Sequence, residues 1–212
     1  EPYYDYQAVE DIFTTSEGEA KTVPFLRNEE HVFIEDEYAT GFLKTYKGGK
    51  YAFVAMLPNE KITVDEYVKT LDGVHLGEML SGARDCVVYT SLPKFETEYS
   101  VEMSAVLKTM GMPLAFDATG ADFGKLGKSQ MGNIFINRVL HKTYIAVDEK
   151  GTKAGAATAV EMTTESAMEI TDYREVYLTR PFVYMLIDCE TNLPLFIGVL
   201  RDPTSESDGL AE

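Results

Sequence analysis

Eight segments of the chain have the residue pattern of β-strands, and this pattern constrains the fold more than any other feature. Each segment alternates apolar with polar positions or is enriched in β-branched and aromatic residues. The segments are 21–26, 31–35, 39–46, 51–57, 86–95, 139–147, 182–189 and 195–200. Gly48-Gly49 is a tight-turn signal between the third and fourth segments, so residues 40–57 are expected to form a hairpin. The pattern predicts a mostly antiparallel chain.

Helical patterns are fewer than strand patterns. Thr63 is a suitable N-cap for a helix over 64–71, and a helical turn is expected near 76–81. A third helix is predicted over 100–110, where Gly111 ends it. Mostly antiparallel sheets with a few helices correspond to the α+β fold class.

Composition limits the partners that this chain can have. Its 212 residues, with 45% hydrophobic content, are ample for a core and show no linker between two composition classes. The formal net charge of -16 argues against nucleic acid or an anionic membrane as a partner. No apolar stretch approaches the roughly 18 to 20 residues of a membrane span. The acidic residues 204–212 are expected to form a flexible tail, and the first residues resemble neither an initiator methionine nor a signal peptide.

The sequence gives no support for catalysis or for a metal or other cofactor. His31, His75 and His141 lie far apart, without an HxxxH or CxxC partner. No serine lies in a GxSxG motif. Cys86 and Cys189 each lie in an apolar, strand-like run, which favours two buried thiols over a disulfide. We therefore expect a protein that is not an enzyme.

A proline-free run of small residues occupies positions 149–162. Taken alone, it is typical of a flexible linker or a short helix, because Gly and Ala are depleted in strands. As an extended chain it has two different faces. One carries Thr152, Ala154, Ala156, Thr158, Val160 and Met162, and the other carries Lys153, Gly155, Ala157, Ala159 and Glu161. The first face is small and uncharged, so the middle of a sheet could accept it.

Six motifs in order resemble the C-terminal half of a serpin, a protease inhibitor of the large mixed α/β family. One overlaps the start of the small-residue run, 148–152, which is similar to the family's hinge, and one precedes it, 139–142, which is similar to the strand before the hinge. The others are 92–95, 107–112, 180–183 and 194–203, which are similar to a strand, a helix and the two closing strands. One departure is Thr179, where the family usually has Asn. The larger departure is that the resemblance lacks the family's N-terminal helical half. It implies that residues 1–203 form the C-terminal portion of one serpin-like domain, with an exposed reactive loop at about 149–179.

The resemblance also implies roles for individual residues. The hinge would consist of Glu149, Lys150, Gly151, Thr152, Lys153, Ala154, Gly155, Ala156, Ala157 and Thr158. The family's usual spacing puts the cleaved bond between Glu165 and Ser166, with Thr164 and Ala167 as alternatives. His141 would be the shutter histidine, whose partners belong mostly to the absent half. Without the resemblance, a lone histidine in an apolar strand indicates a satisfied core residue.

In this family a protease attacks the loop, and the cleaved hinge enters the central sheet as a new strand. The resemblance therefore implies a target serine or cysteine protease, either elastase-like or glutamate-preferring, and an extracellular location. Two alternatives stay open. One is a non-inhibitory serpin that acts as a carrier or chaperone, although such proteins tend to have bulky, charged or proline residues on the inserting face. The other is an inactive fragment that needs the N-terminal half.

Overall fold

The computed structural model describes residues 8–149 and 173–204, and the backbone alone for 151–152. The predicted tail beyond residue 204 lies outside this part. The strands are β1 (Ala8–Thr14), β2 (Ala20–Glu35), β3 (Ala39–Thr45), β4 (Tyr51–Pro58), β5 (Arg84–Pro93), β6 (Phe95–Glu102), β7 (Leu140–Asp148), β8 (Gly151–Thr152), β9 (Tyr173–Tyr177), β10 (Phe182–Asp188) and β11 (Leu193–Leu200). The helices are α1 (Val64–Thr70), α2 (Gly73–Ser81) and α3 (Ser104–Thr109).

Eight strands form one large sheet in the order β11-β10-β4-β3-β2-β5-β9, with β1 paired to β2. The neighbours pair antiparallel, except that β9 runs parallel to β5. The predicted hairpin is present between β3 and β4, and both turn glycines have positive φ, 85° at Gly48 and 69° at Gly49. These observations confirm the α+β class with few helices.

The segments predicted at 21–26 and 31–35 are parts of one strand, β2, which is 16 residues long. A register irregularity between Glu30 and Val32 bends the pairing of β2 with β5 without ending the strand. Four strands are not among the eight predicted segments: β1, β6, β8 and β9. Pairing with neighbouring strands contributes to strand formation beyond the preferences of the residues themselves.

The helix predicted over 100–110 was wrong at its start. β6 continues to Glu102 and α3 begins at Ser104. The Glu102 carboxylate accepts hydrogen bonds from the backbone N–H of Ser104 (3.0 Å) and from its hydroxyl, which satisfies donors of the first helical turn. Strand pairing in the second sheet, of order β6-β7-β8, accounts for the extended segment before it.

Two capped helices pack on the core of the large sheet. Thr63 and Glu66 form a capping box at the start of α1, as the sequence predicts for Thr63, and Asp72 caps α2. The α2 helix begins at Gly73, earlier than the turn predicted at 76–81. The core cluster includes Tyr67 from α1, Met79 and Leu80 from α2, and strand residues such as Ile34, Val54, Met56, Val183 and Met185.

A polar cluster joins these helices to the turn between β2 and β3. The Tyr67 hydroxyl donates to Asp36 Oδ2 (2.8 Å), and His75 Nε2 lies 3.0 Å from the same oxygen. His75 Nδ1 lies 2.9 Å from the carbonyl oxygen of Thr70, an acceptor only, so this nitrogen carries a proton. Because both ring nitrogens face acceptors, the geometry suits the imidazolium form of His75.

Contacts divide the chain into two compact units. The described residues within 1–96 and 146–204 form the first, which contains the large sheet with α1 and α2. Residues 97–145 belong to the second, in which Ile136 N–H donates to the carbonyl of Ala115 at 2.9 Å and Asn133 donates to that of Ala121 at 2.8 Å. That residues 1–203 belong to one domain stays a prediction. Neither Cys86 nor Cys189 forms a disulfide in the described part, and both are half-buried.

Candidate functional site at the two ends of the loop

The strand before the predicted hinge, β7, becomes buried toward its C-terminal end. Leu140 and His141 at its start are exposed, whereas Ile145, Ala146 and Val147 are 2–7% exposed. These three residues are apolar, and burial of their side chains fixes the position from which the hinge leaves the sheet. The last residue of the strand, Asp148, directly precedes the first hinge residue.

The first residues of the predicted hinge form a short strand next to β7. The two residues of β8 pair antiparallel with the end of β7, Gly151 with Asp148 and Thr152 with Val147. The chain therefore reverses direction after Asp148. In this sheet β6 lies on one side of β7 and β8 on the other.

An ion pair holds the first hinge residue against the junction of β5 and β6. Lys94 Nζ lies 2.6 Å from Glu149 Oε1, and the two side chains are 30% and 25% exposed. The backbone N–H of Lys94 donates to the carbonyl oxygen of Pro24 in β2 at 2.8 Å, which positions the lysine. A half-buried, charge-assisted contact of this length is among the stronger polar interactions in proteins. Lys94 thus connects the base of the loop to the large sheet.

The far end of the loop enters a different sheet. β9 pairs in parallel with β5 over five residue pairs, from Val87 with Tyr173 to Ser91 with Tyr177. The next residue, Leu178, is fully buried, and its N–H donates to the carbonyl of Ser91 at 2.8 Å. The following carbonyl, of Thr179, accepts from Thr14 N–H at 2.8 Å. This end is held by both a ladder and a buried apolar side chain.

Most of the predicted site residues lie outside the described part of the chain. Among the hinge residues, the structure describes Glu149 with its side chain and Gly151 and Thr152 as backbone. Lys150, Lys153, Ala154, Gly155, Ala156, Ala157 and Thr158 are outside it, as are Thr164, Glu165, Ser166 and Ala167. Their roles stay predictions.

His141 is placed at the second position of β7, and its side chain is exposed. The burial expected for a lone histidine in an apolar strand is therefore not found here. Along β7, residues 140–144 are exposed or half-buried, and the fully buried stretch begins only at Ile145. The shutter role stays a prediction, because its expected partners belong to the N-terminal half.

Sequence patterns predicted neither the contact of Lys94 nor the strand β9. Lys94 contacts Glu149, 55 positions away in the chain, and no local pattern reveals such a contact. β9 did have a local signal. Tyr173, Glu175 and Tyr177 are exposed and alternate with the buried Val176 and Leu178, a period of two.

The residues that the structure describes contain no group of three or more His, Cys, Asp or Glu side chains that could hold a metal ion. No described helix is both long enough and apolar enough to cross a membrane.

Comparison with known proteins gives one family. A family model described as Serpin (serine protease inhibitor) matches residues 1–203. Serpin B10 of Sorex araneus is 30% identical over 196 residues, which cover 91% of this chain and 48% of that protein. Intracellular coagulation inhibitor 2 of Tachypleus tridentatus is 29% identical over 157 residues, 74% of this chain and 37% of that protein. The chain spans about half the length, or less, of the curated relatives that it matches.

Solved structures give the same result. The thermophilic serpin tengpin in its native state is 46% identical and superposes with a TM-score of 0.83, covering 95% of this chain and 52% of that chain. The latent state of tengpin gives a TM-score of 0.77 at the same identity and coverage. A serpin in a loop C-sheet polymer is 39% identical, with a TM-score of 0.70 over 94% of this chain and 51% of that chain.

Proposed function

The chain belongs to the serpin family, and we propose that the protein that contains it inhibits a serine or cysteine protease by trapping it as an acyl-enzyme. The protease nucleophile attacks the carbonyl of the scissile residue, an ester or thioester forms, and the amine of the next residue leaves with a proton. The freed hinge then inserts as a strand next to β7. Serpin loop insertion is a known case of strand addition and of released strain.

The pairing of β8 with β7 is the strongest support for this proposal. Two hinge residues already run antiparallel to β7, in the direction that an inserting strand would follow. For the ladder to continue beyond Thr152, the residues that follow must be able to be buried in the middle of a sheet. About fifteen residues at about 3.3 Å each would form a strand of order 50 Å, enough to carry an attached protease far from where it docked.

The alternating faces of the hinge support the proposal. The face of Thr152, Ala154, Ala156 and Thr158 would pack inward, and it is small and uncharged. A charge on it would cost several kcal/mol when buried without a partner. Because these four residues include no charged, bulky or proline side chain, the inserting face favours inhibition over the carrier alternative.

The N-terminal half of a serpin domain is the second proposed partner. In the second unit, several apolar side chains are largely exposed: Met110, Leu114, Leu126 and Met131. Apolar side chains exposed to this extent are available to be covered by a partner. We therefore propose that inhibition requires the N-terminal half, and that the chain alone does not inhibit.

The residue before the cleaved bond would determine which protease the loop attracts. Glu165 as the residue before the cleaved bond would suit a glutamate-preferring protease, whereas Thr164 or Ala167 would suit an elastase-like one. The extracellular location implied by the resemblance stays a prediction, since one relative is named Intracellular coagulation inhibitor 2.

The test uses the full-length protein with a panel of elastase-like and glutamyl proteases. We expect a covalent complex that survives denaturing electrophoresis, with cleavage between Thr164 and Met168 by mass spectrometry. Ala156→Arg, on the inserting face, should abolish the complex and turn the protein into a substrate. Ala157→Arg, on the other face, is the matched control and should retain it. Release of every protease after simple cleavage would support the carrier alternative instead.

A further inference from the structure

A groove of about 610 Å³ lies where the turn between β2 and β3 meets α1. It is lined by Glu37 and Tyr38 from the turn and by Glu66 and Thr70 from α1. Asn59, in the loop before α1, joins the two sides. Its backbone N–H donates to the carbonyl oxygen of Tyr38 at 2.6 Å, and its side-chain amide donates to that of Glu37 at 3.2 Å. We call this surface the α1 groove.

His75, in the first turn of α2, connects both sides of the α1 groove. Its Nδ1 lies 2.9 Å from the carbonyl oxygen of Thr70, where α1 ends, and its Nε2 lies 3.0 Å from Asp36 Oδ2. The other carboxylate oxygen of Asp36 accepts from the backbone N–H groups of Tyr38 and Ala39, each at 2.7 Å. Asp36 is therefore bound to the turn that carries Tyr38. Through this one ring, the turn and the end of α1 are both held to α2.

A neutral histidine ring cannot make both contacts. Both atoms that the ring nitrogens face are acceptors, and a neutral imidazole carries only one N–H. The nitrogen that loses its proton presents a lone pair to an oxygen atom, so that contact becomes repulsive. Loss of the proton from Nε2 separates His75 from Asp36, and loss from Nδ1 separates it from the Thr70 carbonyl. Either loss removes one of the two connections.

The charges around His75 favour its protonated form. Asp36 comes from the β2–β3 turn and has a side chain that is only 8% exposed, and Asp72 caps α2 itself. The Tyr67 hydroxyl of α1 donates to the Asp36 oxygen that faces His75, and burial raises the pKa of this phenol, so it stays neutral. The hydrogen bond to the Thr70 carbonyl and then the Asp36 and Asp72 carboxylates raise the pKa of His75, while partial burial opposes them.

Apolar side chains anchor the junction of α1 and α2 only weakly. Val68 in the last turn of α1 is 39% exposed, and Val74 in the first turn of α2 is 70% exposed. Leu71 and Leu76 are partly buried, and the buried residues of α2 lie at its other end. Helices of 7 and 9 residues are marginal without tertiary contacts. The polar contacts of His75 therefore contribute a large share of the stability of this junction.

We propose that His75 is a pH-sensitive latch that closes the α1 groove. Below about pH 6.5, the ordinary value for histidine, the latch is closed, because the imidazolium donates to both sides. It opens as the pH rises through the folded-state pKa and the ring loses its proton. Opening loosens the turn and the helix junction, while the core of the large sheet stays folded. The latch does not depend on the proposed function.

Hydrogen exchange of the full-length protein at about pH 6 and about pH 9 tests the latch. Protection factors are compared, because they correct for the effect of pH on intrinsic exchange. The N–H groups of Asn59 and Leu71 report on the turn and the junction, since they donate to the carbonyls of Tyr38 and Val68. We expect their protection to fall about fivefold or more across this range, while that of Val54 in β4 changes less than about twofold. An equal fall at Val54, or no fall at Asn59 and Leu71, would overturn the proposal.

A histidine variant and a matched control assign the titrating group. His75→Gln removes the titrating ring but retains a side chain that can donate a hydrogen bond. In this variant the protection of Asn59 and Leu71 should no longer depend on pH. His31→Gln changes an exposed histidine of β2 and should retain the fall. A fall that persists in His75→Gln would assign the pH dependence to another group and contradict the latch.

The titration of the ring tests the partner of His75. In the unchanged protein, the midpoint of the fall in protection should coincide with the titration of the His75 ring measured by NMR. Two separate midpoints would contradict the latch, whether or not any variant folds. Asp36→Asn should move both midpoints to a lower pH, because the carboxylate that favours the imidazolium is gone. An unchanged midpoint in the folded variant would show that Asp36 is not the partner and would overturn the proposal.

Discussion

The two ends of the loop are held in different ways. At the hinge end, a two-residue ladder and one half-buried ion pair, Lys94 with Glu149, hold the chain. At the far end, a five-residue ladder and the fully buried Leu178 hold it. Apolar burial is hard to lose without unfolding, whereas a short ladder and a polar contact can be exchanged for others. We therefore expect the hinge end to open more readily than the far end.

Truncation of a buried side chain at the far end of the loop should destabilise the protein most. Leu178→Ala should lower the free energy of unfolding by about 2–4 kcal/mol, because it leaves a cavity beside β9. Leu195→Ala is the matched control, since that leucine in β11 is 58% exposed. Urea unfolding compares the two variants. Equal losses would mean that buried Leu178 does not anchor this end of the loop.

A smaller effect is expected at the hinge end. Lys94→Met removes the charge but retains most of the side-chain length, and it should lower the free energy of local opening of residues 147–152 by about 1–2 kcal/mol. Hydrogen exchange measures this opening, and global stability should change less. Lys21→Met, which breaks an exposed pair with Glu19, should hardly change either quantity. If opening at the hinge is the same in both variants, the ion pair does not hold the hinge.

The smallest expected effect on stability comes from the protonation of His75 in α2. The hydrogen bond from His75 to the Thr70 carbonyl, and then the Asp36 carboxylate, raise the pKa of His75, while partial burial opposes them. Asp72 adds to the rise, and the neutral Tyr67 hydroxyl shares Asp36. A raised pKa in the folded state stabilises the fold fully below about pH 6.5, the ordinary histidine value, and this stabilisation is lost as the pH rises through the folded-state pKa.

Urea unfolding between pH 5.5 and 8.5 measures this dependence. The protein should lose stability as the pH rises, and His75→Gln should remove that part of the dependence. Exchange at residues 147–152 should not follow the same curve, because His75 contacts neither end of the loop. A raised His75 pKa is measurable by NMR, with His31 and His141 as comparison rings in the same sample. A pKa below the ordinary value would contradict the geometry.

Sequence patterns predicted the body of the sheet better than the ends of the loop. The hairpin at Gly48-Gly49 and the cap at Thr63 follow from local chemistry, and both are present. The strand β6 and the partner of Glu149 depend on contacts between distant parts of the chain. Local propensity therefore assigned a helix to residues that pair as a strand. The hinge itself was found through resemblance, since its small residues alone favour a linker.

If the cleaved hinge adds a strand next to β7, its amides become protected, and hydrogen exchange before and after cleavage measures that protection. The full-length protein is cut by a protease within residues 164–168, and exchange of the amides of residues 152–160 is compared before and after. We predict that exchange slows at least a hundredfold, because these amides enter a sheet ladder. Exchange that stays unchanged after complete cleavage would contradict insertion and, with it, the inhibitory mechanism.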